Sequence, residues 1–182
     1  MCIRDSGYAA FAQEETVISV LDSYLVDPNI SMLDKTRIQA QVLVPVMRAL
    51  RAEIGKEKAD AIVKDALRDW SKQLFAAIGN DVEGSPRRKW VAMQGAFNDV
   101  TEREVTFDIL RKDEEALHID VTSCRFAEFF RALGEPELGA LLVCHADFDI
   151  AAAAGGEVSL DRSQTIMQGA PSCTFRYKFA PR

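Results

Sequence analysis

Cysteine is scarce in this chain: four residues in 182, at positions 2, 124, 144 and 173. So few thiols cannot form the dense bridge framework of a small secreted scaffold, and a chain of this length can fold on its core alone. The usage points to a reducing, cytoplasmic compartment. Basic charge is also in the minority. Lys and Arg number 22 against 28 Asp and Glu, for a net charge of −6. That excludes an electrostatic footprint for nucleic acid. The one local basic run, Pro86-Arg87-Arg88-Lys89, reads as a solvated loop. No apolar run approaches the roughly 20 residues of a membrane span. The chain also lacks a Gly-rich phosphate loop, a G-x-S-x-G elbow and an H-E-x-x-H helix.

Met1 to Ser6 reads as a leader foreign to the domain, and residues 1–12 are set apart on that basis. Ala10-Phe11-Ala12 before Gln13 has the small-residue spacing of a signal cleavage site. Residues 13–182 are expected to form a single domain. Without Cys2, three cysteines remain, an odd count that argues against disulfide pairing.

The first half of the chain carries helical periodicity. Val17, Val20, Leu21, Tyr24 and Leu25 make an apolar stripe between Glu14 and Val26, broken by Asp27-Pro28-Asn29. A second helix is expected over Ser31–Ile54, kinked or divided at Pro45 and stopped by Gly55. A third runs over Glu57–Ile78, with Ala61, Ile62, Leu67, Trp70 and Leu74 among its apolar positions, closed by Gly79. Gly79 to Lys89 reads as a loop, and Trp90–Asn98 as a short helix.

The second half changes period. Val105, Phe107 and Ile109 alternate with polar residues, and so do Leu117, Ile119 and Val121, predicting two strands around a turn at 112–114. His118, Asp120, Thr122 and Cys124 fall on the other face of the second strand. Arg125–Leu133 returns to helix, with Phe126, Phe129, Phe130 and Leu133 as its apolar stripe. Pro136 opens another helix to about Ala153, ended by Gly155-Gly156. Val158–Met167 and Cys173–Phe179 read as a closing hairpin joined by residues 168–172. The predicted class is α+β: N-terminal helices, then an antiparallel sheet of about four strands interrupted by a helical pair.

Several residues could carry chemistry. Cys144 and Asp147 stand three apart, on one face if the segment is helical. Cys173 lies on the apolar face of Phe175, Tyr177 and Phe179, so it points into the core or into a pocket there. Cys124, Cys144 and Cys173 are separated by nineteen and twenty-eight residues, which is no zinc-finger spacing; buried cysteines also serve as plain small hydrophobes. Arg162, among Val158, Leu160 and Ile166, needs an anion: Asp147, Asp120 or a ligand carboxylate. His118 and Asp120 are either an acid–base pair or a polar sheet face. His145 reads as a surface or capping residue.

Taken in order, the segments Cys124-Arg-Phe-Ala-Glu128, Leu133-Gly-Glu-Pro-Glu-Leu138, Cys144-His-Ala-Asp147, Arg162, Thr165-Ile-Met-Gln-Gly169 and Cys173-Thr-Phe175 resemble the L-2-amino-thiazoline-4-carboxylate hydrolase family. Glu53 to Ala59 fits as well, and the likeness spans about Leu33 to Tyr177. The C-terminal Gly…Cys-x-Phe is similar, more distantly, to V4R small-molecule-binding domains, implying a related α+β architecture.

The resemblance implies a hydrolase that opens a cyclic amidine. Water adds at the carbon between nitrogen and sulfur, the C–S bond breaks, and N-carbamoyl-L-cysteine forms. That chemistry needs an activated water, a proton donor and a hold on the carboxylate. Asp147 is the candidate general base or metal ligand. Cys124, Cys144 and Cys173 are candidate ligands for a divalent metal such as zinc; alternatively Cys144 or Cys173 is a nucleophile. Arg162 would clamp the substrate carboxylate and Thr165 would hydrogen-bond the amidine. The alternative is a non-catalytic sensor or carrier with the same pocket. The expected partner is a small molecule, with no nucleic acid and no membrane, and association into a homo-oligomer is consistent with relatives of this size.

Overall fold

The computed structural model describes residues 29–181. The leader 1–12 and the helix expected over 14–26 lie outside the described residues. Helix α1 spans Met32–Ile54 and α2 spans Lys56–Gly79. Ser31 caps α1, its hydroxyl accepting the Asp34 N–H at 3.0 Å. Leu33, Ala40, Val44 and Met47 recur on one buried face. Pro45 does not divide α1, which runs through it as one helix. Pro45 lies on the exposed side, where water can take up the carbonyl its missing N–H leaves free. In α2 the buried positions include Ala59, Ser71 and Phe75, whereas Ile62, expected inward, is 51% exposed.

Helix α3 spans Pro86–Thr101 and so begins earlier than the sequence suggested. Ser85 accepts the Arg88 N–H and Pro86 takes the first turn, so the basic run starts a helix rather than continuing a loop. Trp90 and Met93 are its buried anchors.

Strands β1 (Val105–Lys112), β2 (Ala116–Cys124), β3 (Val158–Asp161) and β4 (Cys173–Phe179) form one antiparallel sheet in the order β1-β2-β4-β3. The architecture is α+β, with the helical region first. The β1–β2 register slips twice, leaving Thr122 and Leu110 without partners. Thr122 and Ser123 are both exposed as a result, and Cys124 packs against the cluster of Ile119, Val121 and Cys173. Strict alternation had placed Cys124 on the face opposite Ile119; an irregularity of one residue reverses it. Ile109 is 51% exposed, so the alternation in β1 does not continue a buried face to its end.

Between β2 and β3 the chain is helical. Helix α4 spans Arg125–Ala132 and buries Phe126, Ala127 and Phe130; Leu133 lies just past it and is exposed. Helix α5, Pro136–Gly139, leads without a break into a π-helical turn, Ala140–Cys144, and then into α6, Ala146–Ala153. Gly155 and Gly156 then turn the chain at φ +63° and +89°, a region glycine enters without a Cβ clash.

The closing hairpin differs from expectation. β3 ends at Asp161; residues 162–165 are irregular, and Ile166–Gln168 form a 3₁₀ turn. Thr165 caps that turn, its hydroxyl accepting the Gln168 N–H at 3.2 Å and donating to Gln168 Oε1 at 3.0 Å. A continuous strand would have buried backbone with no partner strand, since β4 pairs with β3 only over Val158–Asp161.

The core falls into two main clusters. One joins α1, α4, α5 and the 3₁₀ turn through Ala40, Met47, Phe130, Leu138 and Met167. The other joins α2, α3, α6 and the sheet through Phe75, Trp90, Ala151 and Tyr177. The segment from Ala140 to Phe148 passes between them, and the candidate site is built there.

Candidate functional site

A depression of about 350 Å³ opens where α1, α2, the π turn and the 162–168 segment meet. Four basic side chains line it: Arg51, Lys56, Lys64 and Arg162, against two acidic ones, Asp60 and Glu137. In a chain of net charge −6 this is a local reversal of sign, suited to an anionic small molecule. Arg51 is spoken for by Asp60, with Nε and Nη2 at 2.8 and 2.9 Å from its two oxygens. Lys56 pairs with Glu137 at 2.7 Å. Lys64 makes no ion pair among the described residues.

Arg162 forms the floor. Its side chain is only 5% exposed. Nη1 pairs with Asp147, and Nη2 donates to the Cys144 carbonyl at 2.7 Å. The guanidinium lies against the rings of Phe148 and Phe175, at 4.8 and 5.0 Å. Nε is buried and has no partner among the described residues. Of the anions proposed for Arg162, the structure selects Asp147. Asp120 pairs instead with Arg176 at 2.7 Å, across the sheet, and with His118 belongs to the strand surface rather than the depression.

Asp147 keeps 28% of its side-chain surface, yet loss of water still pushes its carboxyl above the ordinary range; the Arg162 charge and hydrogen bond oppose the rise. Cys144 lines the depression. Burial, and then the Asp147 charge, raise its thiol far above the usual value. Cys173 and Cys124 are also raised, chiefly by burial. Cys173 Sγ accepts the Ile166 N–H at 3.2 Å, which anchors the 3₁₀ turn to β4.

The three cysteines lie near enough to perturb one another's ionisation. Among the described residues, however, no group of three or more His, Cys, Asp or Glu side chains is arranged to hold a metal ion. In this arrangement Cys124, Cys144 and Cys173 do not form a ligand cage. Thr165 lines the depression, but its hydroxyl is engaged by Gln168.

The residue that sequence reasoning passed over is His145. It lines the depression beside Cys144 and Arg162, its ring 6.0 Å from that of Phe148. Burial holds its pKa below the ordinary histidine value, so the ring is neutral near pH 7. The π turn explains why it was missed. His145 N–H bonds to the Ala140 carbonyl, five residues back, and the extra residue advances the helical phase by about 100°. No hydrophobic periodicity announces such a turn.

The family model described as L-2-amino-thiazoline-4-carboxylic acid hydrolase matches residues 35–177. The chain belongs to this family. The match takes in every wall of the depression. Among solved structures, the phenol-responsive sensory domain of the transcription activator PoxR, with phenol, is 14% identical over 75% of this chain and 72% of its own, with a TM-score of 0.46. No curated protein matches the chain. Among the described residues of this hydrolase-family member, no helix is long and apolar enough to cross a membrane.

Proposed function

We propose that the protein hydrolyses a small cyclic amidine or related C–N/C–S heterocycle bearing a carboxylate, such as 2-amino-thiazoline-4-carboxylate, in the depression floored by Arg162. The observation that carries this reading is a net-basic hollow of about 350 Å³, in an acidic protein, lying inside the segment that matches the hydrolase family. The volume suits a single small ring.

The substrate carboxylate would face Lys64, which makes no ion pair among the described residues, rather than Arg162. Arg162 has two of its three nitrogens committed to Asp147 and Cys144, so it serves as the anchor of the site. Asp147, locked to Arg162, holds that anchor in place. Protonated thiols speak against a cysteine nucleophile, so the reading favours direct addition of water. The hydroxyl adds to the ring carbon, the C–S bond breaks, and the product gains, in net, one hydrogen on ring nitrogen and one on sulfur.

Mass spectrometry tests this. Purified protein incubated with L-2-amino-thiazoline-4-carboxylate is expected to yield a product one water heavier, carrying a free thiol. Binding of the compound without turnover would replace the hydrolase reading with a sensor or carrier.

A further inference from the structure

Asp149 is a carboxylate that the anchor pair does not use. It is only 7% exposed, and its Oδ2 is buried without a hydrogen-bond partner among the described residues. A buried carboxylate oxygen left unpaired is destabilising, so it calls for a partner. One stands four residues earlier. His145 and Asp149 are separated by one turn of helical backbone, which places both side chains on the same side of α6. Neither side chain makes a hydrogen bond among the described residues. Asp149 is also the strongest charge favouring a proton on His145. The imidazole lines the depression, and Asp149, one turn further along, does not.

We propose that His145 is the general base of this site and that Asp149 is its positioning residue, fixing the imidazole by accepting the proton-bearing nitrogen's hydrogen bond. This rests on the hydrolase reading above. Its geometry is the base-and-orienter arrangement common to hydrolytic sites, here compressed into one helical turn. Catalytic hydrogen bonds are often open before substrate arrives, and the inference is that this one closes in the substrate complex.

The free ring nitrogen takes a proton from water as the water oxygen bonds to the carbon of the protonated amidine, and the C=N π pair moves onto nitrogen. The neutral tetrahedral adduct then re-forms a C=O bond while the C–S bond breaks. The imidazolium returns its proton to sulfur, and the adduct's hydroxyl proton leaves to solvent.

The experiment measures steady-state turnover of L-2-amino-thiazoline-4-carboxylate by the full chain and its variants, with circular dichroism as a folding control. His145→Ala is expected to lose about 10²–10⁴-fold in kcat, with partial recovery on adding free imidazole, which a packing defect would not show. Asp149→Asn is expected to lower kcat at least about tenfold while KM stays within about twofold, the mark of a misoriented base rather than a lost binding contact. Asp149→Glu should restore part of that loss. A parent that turns over but whose folded His145→Ala variant keeps kcat within about threefold overturns this assignment alone. So does an Asp149→Asn effect confined to KM. A parent with no turnover overturns both this assignment and the hydrolase reading.

Discussion

Arg162 and Asp147 show how burial decides ionisation at a single residue. The guanidinium has almost no contact with water, and its carboxylate partner is desolvated enough that its pKa is raised in spite of the pair. The sign follows. A carboxyl raised in the folded state binds its proton more tightly there than in the unfolded chain. Its contribution to stability therefore falls as pH rises from the unfolded carboxyl value through the folded one. Asp147→Asn cannot titrate. The unfolding free energy of the parent, relative to that variant, is expected to increase as pH drops from 7 toward 4 in urea titrations. A difference that stays flat with pH would mean that Asp147 is not desolvated. At this scale the sequence supplied Cys144, Asp147, Arg162 and the ion pair as one of three alternatives. It did not supply His145, because the π turn at Ala140–Cys144 leaves no periodic trace.

At the scale of elements, the site depends on α5 lying close to its neighbours. A Cβ added at Gly139 would sit 2.5 Å from the Met167 sulfur and 2.7 Å from Phe130 Cβ and Cγ. Met167 could bend away, but the base of the Phe130 side chain on α4 cannot. Gly139→Ala is thus expected to destabilise the protein by about 1–3 kcal/mol and, because the π turn follows directly, to weaken turnover. Gly95 in α3 is the control: it is exposed, with nothing within 4 Å of the added methyl. Gly95→Ala should stabilise by about 0.5–1 kcal/mol through helix propensity. Chemical denaturation of the two variants checks both signs. Helix starts were legible where caps stood in the sequence, as at Ser31. At Ser85-Pro86 the same signal was outvoted by the polar run around it. The closing hairpin was misread because residues 162–167 are partly buried by tertiary contacts with α6 and α4, which imitate the alternation of a strand.

At the scale of the whole molecule, Trp90 ties the helical layer to the sheet. It is fully buried, with its ring 4.6 Å from Tyr177 and 5.9 Å from Phe179 on β4. Trp90→Ala is expected to cost about 3–5 kcal/mol, enough to remove much of the margin of a typical domain. The loss should appear as a lower thermal midpoint. Trp90→Phe, which keeps the aromatic contact and discards an indole N–H that has no partner among the described residues, should retain most of the stability.

What the sequence determined by itself was local: the helical period of the first half, the alternation of the second, the breaks at Gly55 and Gly155-Gly156, and the ordered segments that mark the family. Each of these is written in neighbours a few residues apart. Only the tertiary structure decided which side of β2 carries Cys124, that Arg162 is held by Asp147, and that His145 faces a basic hollow. Those outcomes depend on a slipped register, a π turn, and the meeting of chain segments about a hundred residues apart. Their free energy lies in desolvation and packing between segments, which no local pattern encodes.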